Sequence, residues 1–358
     1  FIFGGLSVVI KKRLPQPSFA LLIVFSFLLP ITANSLEESL RQAFNLTADF
    51  TDAYWAMIFI VMAIIWVGST WLYESRLFSL TAFGSLILAS VRIGDLFEAD
   101  AVYYTLLMGL TALVGLGGTW LLKKWRDEKF AQPLFLASQL LQALNLATSL
   151  GIFGVNTFQS SGNNILNLIT LATWITGTLF YLVSEWLYPF FAFPWLAAAT
   201  FIPMPWLIAS AFDLESLGSS IVLFVWGAIL AVASEPIIRS EKLKKYGLPI
   251  LLAAMPSLAL GIFTGFIYET WLGLTLALGT AILFTSLHIL QNRWWLWTLA
   301  LLNFVAAYFA FFQLEAIQKI DIFFGYQLLG ITILYLLPDL FLKKDWMLNL
   351  QWRLPLRI

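Results

Sequence analysis

Cysteine is absent from this sequence, and histidine occurs once, as His288. Without cysteine the chain can form no disulfide, no thiolate metal site and no iron–sulfur cluster. A single histidine also excludes haem ligation by two histidines of the same chain. We therefore predict no cofactor and no metal site.

Charged residues are scarce as well: they make up 11% of the 358 residues, and the formal net charge is zero. A soluble domain carries about a quarter charged residues, so this deficit is large. The few Lys and Arg residues are better explained as determinants of membrane topology. Nucleic acid is therefore not expected as a partner.

Known catalytic motifs are missing too. The sequence has no P-loop, Gly-rich dinucleotide loop, His-Glu zinc motif or Gly-x-Ser-x-Gly elbow. Enzymes that handle lipid pyrophosphates need cations in sizeable outer loops to neutralise phosphate, and the predicted outer loops here are short and almost without Lys or Arg. No catalytic residue is assigned, and a non-enzymatic role is favoured.

Apolar residues, in contrast, make up 60% of the chain. Their runs reach about 20 residues, the length of a helix that crosses a bilayer of about 30 Å. The runs do not alternate as barrel strands do, so the sequence predicts an all-α polytopic integral membrane protein. The twelve predicted spans are 17–35, 53–73, 77–96, 101–122, 132–153, 164–184, 189–211, 217–237, 247–267, 270–290, 294–313 and 322–342.

We expect these spans to form one transmembrane domain over residues 1–358. Residues 1–10 are predicted to be part of a further span, which indicates a fragment of a longer protein. The longest outer loop, 36–52, is entered through Ser35-Leu-Glu-Glu38. That capping-box pattern predicts a helix lying along the membrane interface.

The basic residues fall on one side of this scheme. With loops numbered alternately, all of the 20 Lys and Arg residues except Arg41, Arg92 and Lys319 lie on the same side. Such loops face the cytoplasm and attract anionic lipid. We therefore expect a cell membrane, in particular the bacterial cytoplasmic membrane, with basic loops inside and membrane lipids as partners.

Small residues recur at similar places in six of the spans, at intervals of about 50 residues, and a fixed interval indicates a repeat architecture. They are Gly68, Gly117, Thr176, Gly227, Gly279 and Gly330. The repeated unit is a helical hairpin with a short cytoplasmic turn, so six repeated hairpins are predicted. Small residues let membrane helices approach closely, and this packing role is favoured over a conduction path.

Ionisable residues within spans are the first functional candidates in a membrane protein. Arg92 and Asp95 are three residues apart and can pair on one helix face. Glu235 and Asp339 lie beside prolines near the cytoplasmic ends of the eighth and twelfth spans, and His288 lies near the same interface. These five are the candidate binding or relay residues; the alternative is static ion pairing and hydrogen bonding.

Prolines in the seventh span, Pro194, Pro203 and Pro205, must break or kink that helix. The carbonyls that such a break frees can coordinate an ion in transporters. No acidic residue lies at the same depth, so a static kink is favoured.

Three functions remain open. The leading hypothesis is a non-catalytic structural or anchoring subunit of a larger membrane complex, bound to other membrane protein subunits. The second is a transporter or lipid translocator built from hairpin repeats, and the third a lipid-modifying enzyme using the loop 36–52. Polar residues that meet in one cavity would favour transport over the subunit role.

Overall fold

The computed structural model describes residues 15–44, 46–73, 76–125, 127–158, 164–318 and 324–341. Within these ranges the chain is helical and contains no strand. The helices are α1 Pro15–Phe44, α2 Ala48–Tyr73, α3 Arg76–Leu96, α4 Ala101–Trp125, α5 Glu128–Phe158, α6 Asn164–Leu187, α7 Ala192–Ala199, α8 Met204–Ala211, α9 Ser216–Arg239, α10 Lys244–Tyr268, α11 Thr270–Gln291, α12 Trp294–Phe312, α13 Glu315–Gln318 and α14 Phe324–Phe341. The partial span predicted at 1–10 lies outside the described residues.

Ten stretches of the described chain are long and apolar enough to cross a membrane. By composition the chain is therefore a multi-pass helical membrane protein, and the predicted fold class is confirmed at that level. The ten correspond to the predicted spans from 53–73 to 294–313. The first predicted span lies within α1 and the last overlaps α14, and the count of twelve stays a prediction.

The chain divides into two compact units. Unit 1 comprises residues 1–161 and 172–187, and unit 2 comprises 162–171 and 188–358. Within unit 1, α2 packs along α3 and α4 packs along α5, while α3 also contacts α4 and α5. Within unit 2, α9 packs along α10 and α11 along α12, with further contact between α10 and α11. At most four residues separate the two helices of each of these four pairs, and we call each pair a helical hairpin.

Glycines bring the two helices of the α9–α10 hairpin together. A Cβ atom at Gly227 would lie 2.7 Å from Leu258 Cγ and 3.0 Å from Ala254 O. From the other helix, a Cβ atom at Gly261 would lie 3.0 Å from the backbone nitrogen of Phe224. The two backbones therefore approach through reciprocal glycines, a common device where apolar helices have only packing to hold them.

The break predicted in the seventh span is confirmed. Helix α7 ends at Ala199 and α8 begins at Met204, with Pro203 directly before it and Pro205 in its first turn. Proline has no N–H to continue the helix, and it disfavours helical geometry in the residue before it. Within this break, the carbonyl oxygen of Phe201 accepts a hydrogen bond from Trp226 Nε1 at 3.1 Å.

The predicted interfacial segment 36–52 is divided between two long helices. Residues 36–44 continue α1, and α2 begins at Ala48. The side chains of the two helices meet here, because the Thr51 hydroxyl donates to Glu37 Oε1 at 2.8 Å and the Tyr54 hydroxyl donates to Ala33 O at 2.8 Å.

Candidate functional site

One arginine links three consecutive helices of unit 1. Arg92 Nη1 on α3 donates to Asp52 Oδ1 on α2 at 3.0 Å and to Asp95 Oδ2 at 3.3 Å. The hydroxyl of Tyr104 on α4 donates to Asp95 Oδ1 at 2.6 Å. The predicted contact between Arg92 and Asp95 is therefore present, and Asp52 and Tyr104 extend it. Two carboxylates share one guanidinium, so its positive charge is already neutralised within the protein.

Tyr104 also lines a cavity of about 390 Å³ between α4 and α5. That volume is within the range of about 300–1,000 Å³ typical of small-molecule sites. Most of the wall is apolar, and its polar groups come from Tyr104, Thr105, Asn145 and Thr148. The full lining is Ala101, Tyr104, Thr105, Met108, Leu141, Leu144, Asn145, Thr148 and Ile152.

Asn145 belongs to a polar stripe on α5. Ser138, Gln142, Asn145 and Ser149 follow one another at spacings of four, three and four residues, which places them on one helix face. All four are buried: their exposed fractions are 0%, 0%, 5% and 1%. Apolar residues at these positions would be the expected choice for a helix of this kind, so the stripe is an unusual feature.

Hydrogen bonds connect the surroundings of this stripe to α6. Gln139 Nε2 on α5 donates to Ser184 Oγ at 2.7 Å. The hydroxyls of Thr105 on α4 and Thr173 on α6 lie 3.3 Å apart. The stripe therefore faces a three-helix junction formed by α4, α5 and residues 172–187 of α6.

Two glycines make room for the amide groups. A Cβ atom at Gly109 on α4 would lie 3.1 Å from Asn145 Nδ2 and 3.8 Å from Gln142 Oε1. One at Gly177 on α6 would lie 3.2 Å from Gln142 Nε2. The amides of Gln142 and Asn145 therefore lie against bare backbone on both neighbouring helices.

Several of these buried polar atoms have no hydrogen-bond partner among the described residues: Gln142 Nε2 and Oε1, Asn145 Nδ2 and Ser149 Oγ. An unpaired buried polar group is unfavourable by about 1–3 kcal/mol. Groups of this kind therefore call for a functional explanation. Asn145 is the informative one, because it both lines the cavity and belongs to the stripe.

The candidate residues of unit 2 make local contacts. Glu235 on α9 forms an ion pair with Arg239, one turn further along the same helix. His288 on α11 is buried, and its Nδ1 donates to the carbonyl oxygen of Arg293 at 2.8 Å. The ring of His288 lies over Trp297, with 6.0 Å between the ring centroids. Asp339 lies in α14, and its side chain is outside the described part of the chain.

A metal site does not emerge from these residues. Among the residues with described positions, no group of three or more His, Cys, Asp and Glu side chains is arranged to hold a metal ion. The relay or binding roles of Arg92, Asp95, Glu235 and His288 remain predictions.

The six small residues of the predicted repeat have different surroundings. A Cβ atom would meet nothing within 4 Å at Gly68 or Gly117, whereas it would meet α10 closely at Gly227. At Gly279 it would lie 3.0 Å from Phe224 Cζ, and at Gly330 it would lie 2.5 Å from the Tyr308 hydroxyl. Thr176 is buried, and its Cγ2 lies 3.4 Å from the Cβ position of Gly109.

The polar stripe is the feature that sequence reasoning missed. Its signal was present, because the four residues recur at helical spacing within the predicted span 132–153. A search for ionisable residues alone overlooks neutral amides and hydroxyls. These groups are also unfavourable in an apolar helix unless they are hydrogen-bonded.

Comparison with known proteins adds no further constraint. No protein-family model, no curated protein and no solved structure matches the chain. The function must therefore be inferred from the geometry of the two units.

Proposed function

We propose that this chain is a membrane transporter or translocator, and that unit 1 binds an uncharged, hydrogen-bonding ligand. One observation carries the proposal: the buried amides of Gln142 and Asn145 have unmet hydrogen-bonding atoms, and Asn145 opens onto the cavity between α4 and α5. Asn145 Nδ2 is buried against Gly109 in this structure, and a turn of the Asn145 side chain toward the cavity would let it donate a hydrogen bond to a ligand there.

The other polar groups of the cavity define the ligand further. The Thr105 hydroxyl donates to Val102 O at 2.7 Å, and the Thr148 hydroxyl donates to Leu144 O at 2.9 Å. Because each hydroxyl donates its hydrogen bond to a backbone carbonyl, a lone pair of its oxygen can accept a hydrogen bond from a ligand. The site therefore offers an amide donor and hydroxyl oxygens that accept, which suits a neutral group with both O–H or N–H and carbonyl or hydroxyl oxygens.

Charge also argues for a neutral ligand. Arg92 is the cation nearest in the hydrogen-bonded network, and it is shared by Asp52 and Asp95. Tyr104, the one group that belongs to both network and cavity, donates its proton to Asp95. An anionic ligand would therefore find no free cation in this network, and its desolvation would be uncompensated.

The proposal includes the topology predicted from the sequence. In it, α1 and α14 complete a set of twelve spans, arranged as six repeated hairpins with their basic turns in the cytoplasm. The four hairpins of consecutive helices support this arrangement. Repeated helical units are common in transporters, where they build the binding site between them.

The test is solute flux through the purified chain in proteoliposomes. The probes are glycerol and urea as neutral solutes, with choline chloride and sodium gluconate as charged controls, followed by light scattering after osmotic shock. We expect glycerol or urea to enter faster than into empty vesicles, and Asn145→Leu to remove the difference. The charged controls should not enter faster.

Asn303→Leu is the matched control variant. Asn303 is also an asparagine on an apolar helix, but its Nδ2 donates to Leu299 O at 2.8 Å, so its amide nitrogen has a partner. This variant should keep the wild-type flux. Flux equal to that of empty vesicles for both neutral solutes, or an unchanged flux in Asn145→Leu, would contradict the proposal.

The non-catalytic structural or anchoring subunit is the second candidate. It is favoured by an apolar ridge on α5, where Leu136, Leu140 and Leu144 recur every fourth residue and are each more than half exposed. In a membrane such a ridge faces lipid or another subunit. A partner that co-purifies in equal amount in mild detergent, and is lost when Leu136 and Leu140 are replaced by Asn, would favour this role over transport.

A further inference from the structure

Unit 1 also contains a long apolar groove. It has a volume of about 540 Å³ and is bordered by α2, α3, α4 and the beginning of α5. We propose that it binds one acyl chain of a membrane phospholipid, and we call it the acyl groove. This inference is independent of the transport proposal, because no residue lines both the acyl groove and the cavity at Asn145.

The wall of the acyl groove is apolar. None of the described residues that line it is ionisable, and only Thr70 and Ser79 carry hydroxyls. The Thr70 hydroxyl donates to Trp66 O at 2.9 Å, within its own helix. The Ser79 hydroxyl likewise donates to Arg76 O at 2.7 Å. Apolar cavities stay dry, so hydrocarbon rather than water fills this groove in a bilayer.

The length of the acyl groove matches one leaflet of the membrane. On α4 the lining extends from Val114 to Trp125, eleven residues apart, or about 16 Å at 1.5 Å per residue. Val114 lies near the middle of α4, and Trp125 is its last residue. Since the hydrocarbon core is about 30 Å thick, each leaflet contributes about 15 Å. A lipid chain therefore fits this length, whereas a transmembrane helix of a partner crosses both leaflets.

The acyl groove is accessible from the membrane interface. Trp125 lies at that end and is 63% exposed, and indoles prefer the depth of the lipid headgroups. Val67 and Val114, which also line the groove, are both more than half exposed. A phospholipid with its headgroup beside Trp125 can therefore place one chain in the groove without leaving its leaflet.

Gly117 keeps the acyl groove open. It lines the groove, and a Cβ atom added to it would meet nothing within 4 Å. Glycine in a helix is less favourable than alanine, and at Gly227 the close approach of α10 explains its use. At Gly117 no described neighbour is close enough to give that reason. An acyl chain lying against the bare backbone of Gly117 supplies it.

Gly151 on α5 offers a matched control. It too lies in a long apolar helix, and a Cβ atom there would meet nothing within 4 Å. It lines neither the acyl groove nor the cavity at Asn145. Gly117→Leu and Gly151→Leu therefore add the same side chain to an open helix surface, and only Gly117→Leu places it in the groove.

The experiment is photo-crosslinking of the full chain in phosphatidylcholine nanodiscs. Part of the lipid carries a diazirine in the middle of one acyl chain, and peptide mass spectrometry identifies the labelled residues. Leu86 and Leu88 on α3 are compared, because Leu86 lines the groove and the exposed Leu88 does not. We expect Gly117→Leu to lower the labelling of Leu86 by about 10-fold, because overpacking opposes entry of the chain. Labelling of Leu88 should not change, and Gly151→Leu should change neither.

Further arms separate a bound chain from other occupants. Val114→Trp narrows the groove from an exposed position and should also lower the labelling of Leu86, which keeps the test valid if Gly117→Leu does not fold. Excess lysophosphatidylcholine, which has one chain, should compete with the label, and glycerophosphocholine, which has none, should not.

Three outcomes would overturn the site. Unchanged labelling of Leu86 in both Gly117→Leu and Val114→Trp would indicate ordinary lipid around the protein. Competition by glycerophosphocholine would indicate a headgroup site. A wild-type dimer in native mass spectrometry that Gly117→Leu dissociates would assign the groove to a second copy of the chain.

Discussion

Gln142 and Gln139 show how differently two glutamines on one helix can be used. Both belong to α5 and lie within one turn of each other. Gln139 donates to Ser184 Oγ at 2.7 Å, whereas the amide of Gln142 is fully buried with neither its nitrogen nor its oxygen hydrogen-bonded to a described residue. A bonded amide stabilises a helix contact, and an unbonded one opposes folding. This burial of Gln142 without a partner is the reason for assigning the stripe a function.

The stability of two leucine variants tests this contrast. We expect Gln142→Leu to raise the free energy of unfolding, by up to about 1–3 kcal/mol, because it removes unpaired buried polar atoms. Gln139→Leu should lower it by about 0.5–1.5 kcal/mol, because it removes a bond between helices. Thermal unfolding in the same detergent measures both. If Gln142→Leu were as destabilising as Gln139→Leu, Gln142 would be a structural residue and the functional reading of the stripe would lose its basis.

The helical hairpins differ in how closely their two helices approach each other. In α9–α10 the backbones meet through Gly227 and Gly261, with distances near 3 Å from their Cβ positions to the opposite backbone. Gly68 on α2 occupies the corresponding place in the predicted repeat, yet nothing lies within 4 Å of its Cβ position. Two glycines at the same place in the predicted repeat therefore differ, because Gly227 is closely packed and Gly68 is open.

Alanine substitutions at these two glycines should have opposite effects. Gly227→Ala places a methyl group 2.7 Å from Leu258 Cγ, and such overpacking destabilises by about 1–3 kcal/mol. Gly68→Ala meets no neighbour, and the better helix propensity of alanine should stabilise by about 0.5–1 kcal/mol. Thermal unfolding of the two variants against the wild type gives the comparison. Similar effects of both substitutions would refute the difference in packing.

Local chemistry explains which elements the sequence could predict. The long apolar runs predict the helices, and Pro203 and Pro205 predict the break between α7 and α8. Both features are determined by residues that are close together in the sequence. The bond from His288 to Arg293 O could not be predicted in the same way. It depends on Asn292, whose left-handed φ of 52° turns the chain so that the carbonyl of Arg293 meets the histidine. The pairing of Arg92 with Asp52 likewise depends on how α2 lies beside α3.

The same limit applies to the stripe on α5. Spacing shows that Ser138, Gln142, Asn145 and Ser149 share a face, but not what that face meets. Only the packed structure shows that Gly109 and Gly177 face the amides and leave them without partners. Close packing among helices that are far apart in sequence is a property of the folded unit, and composition cannot reveal it.

In the whole molecule, the proposed topology places the cavity at Asn145 near one end of α4. The first two turns of this helix contribute Tyr104, Thr105 and Met108 to the cavity, and its last turn carries the basic residues Lys123 and Lys124. A helix of 25 residues at 1.5 Å per residue spans about the full thickness of the bilayer. The topology therefore predicts that the cavity lies toward the outer membrane surface, opposite the basic end of α4.

Single cysteines can test that topology without background, since the native chain has none. We expect Asp100→Cys and Glu269→Cys to react with a membrane-impermeant maleimide added to intact cells. Asp127→Cys and Glu241→Cys lie in basic turns and should react only after the membrane is permeabilised, because Lys- and Arg-rich turns stay in the cytoplasm. All four native side chains are exposed, so burial should not prevent labelling. Reaction of Asp127→Cys and Glu241→Cys from opposite sides would break the hairpin scheme, whereas exposure of both on the outside would reverse its orientation.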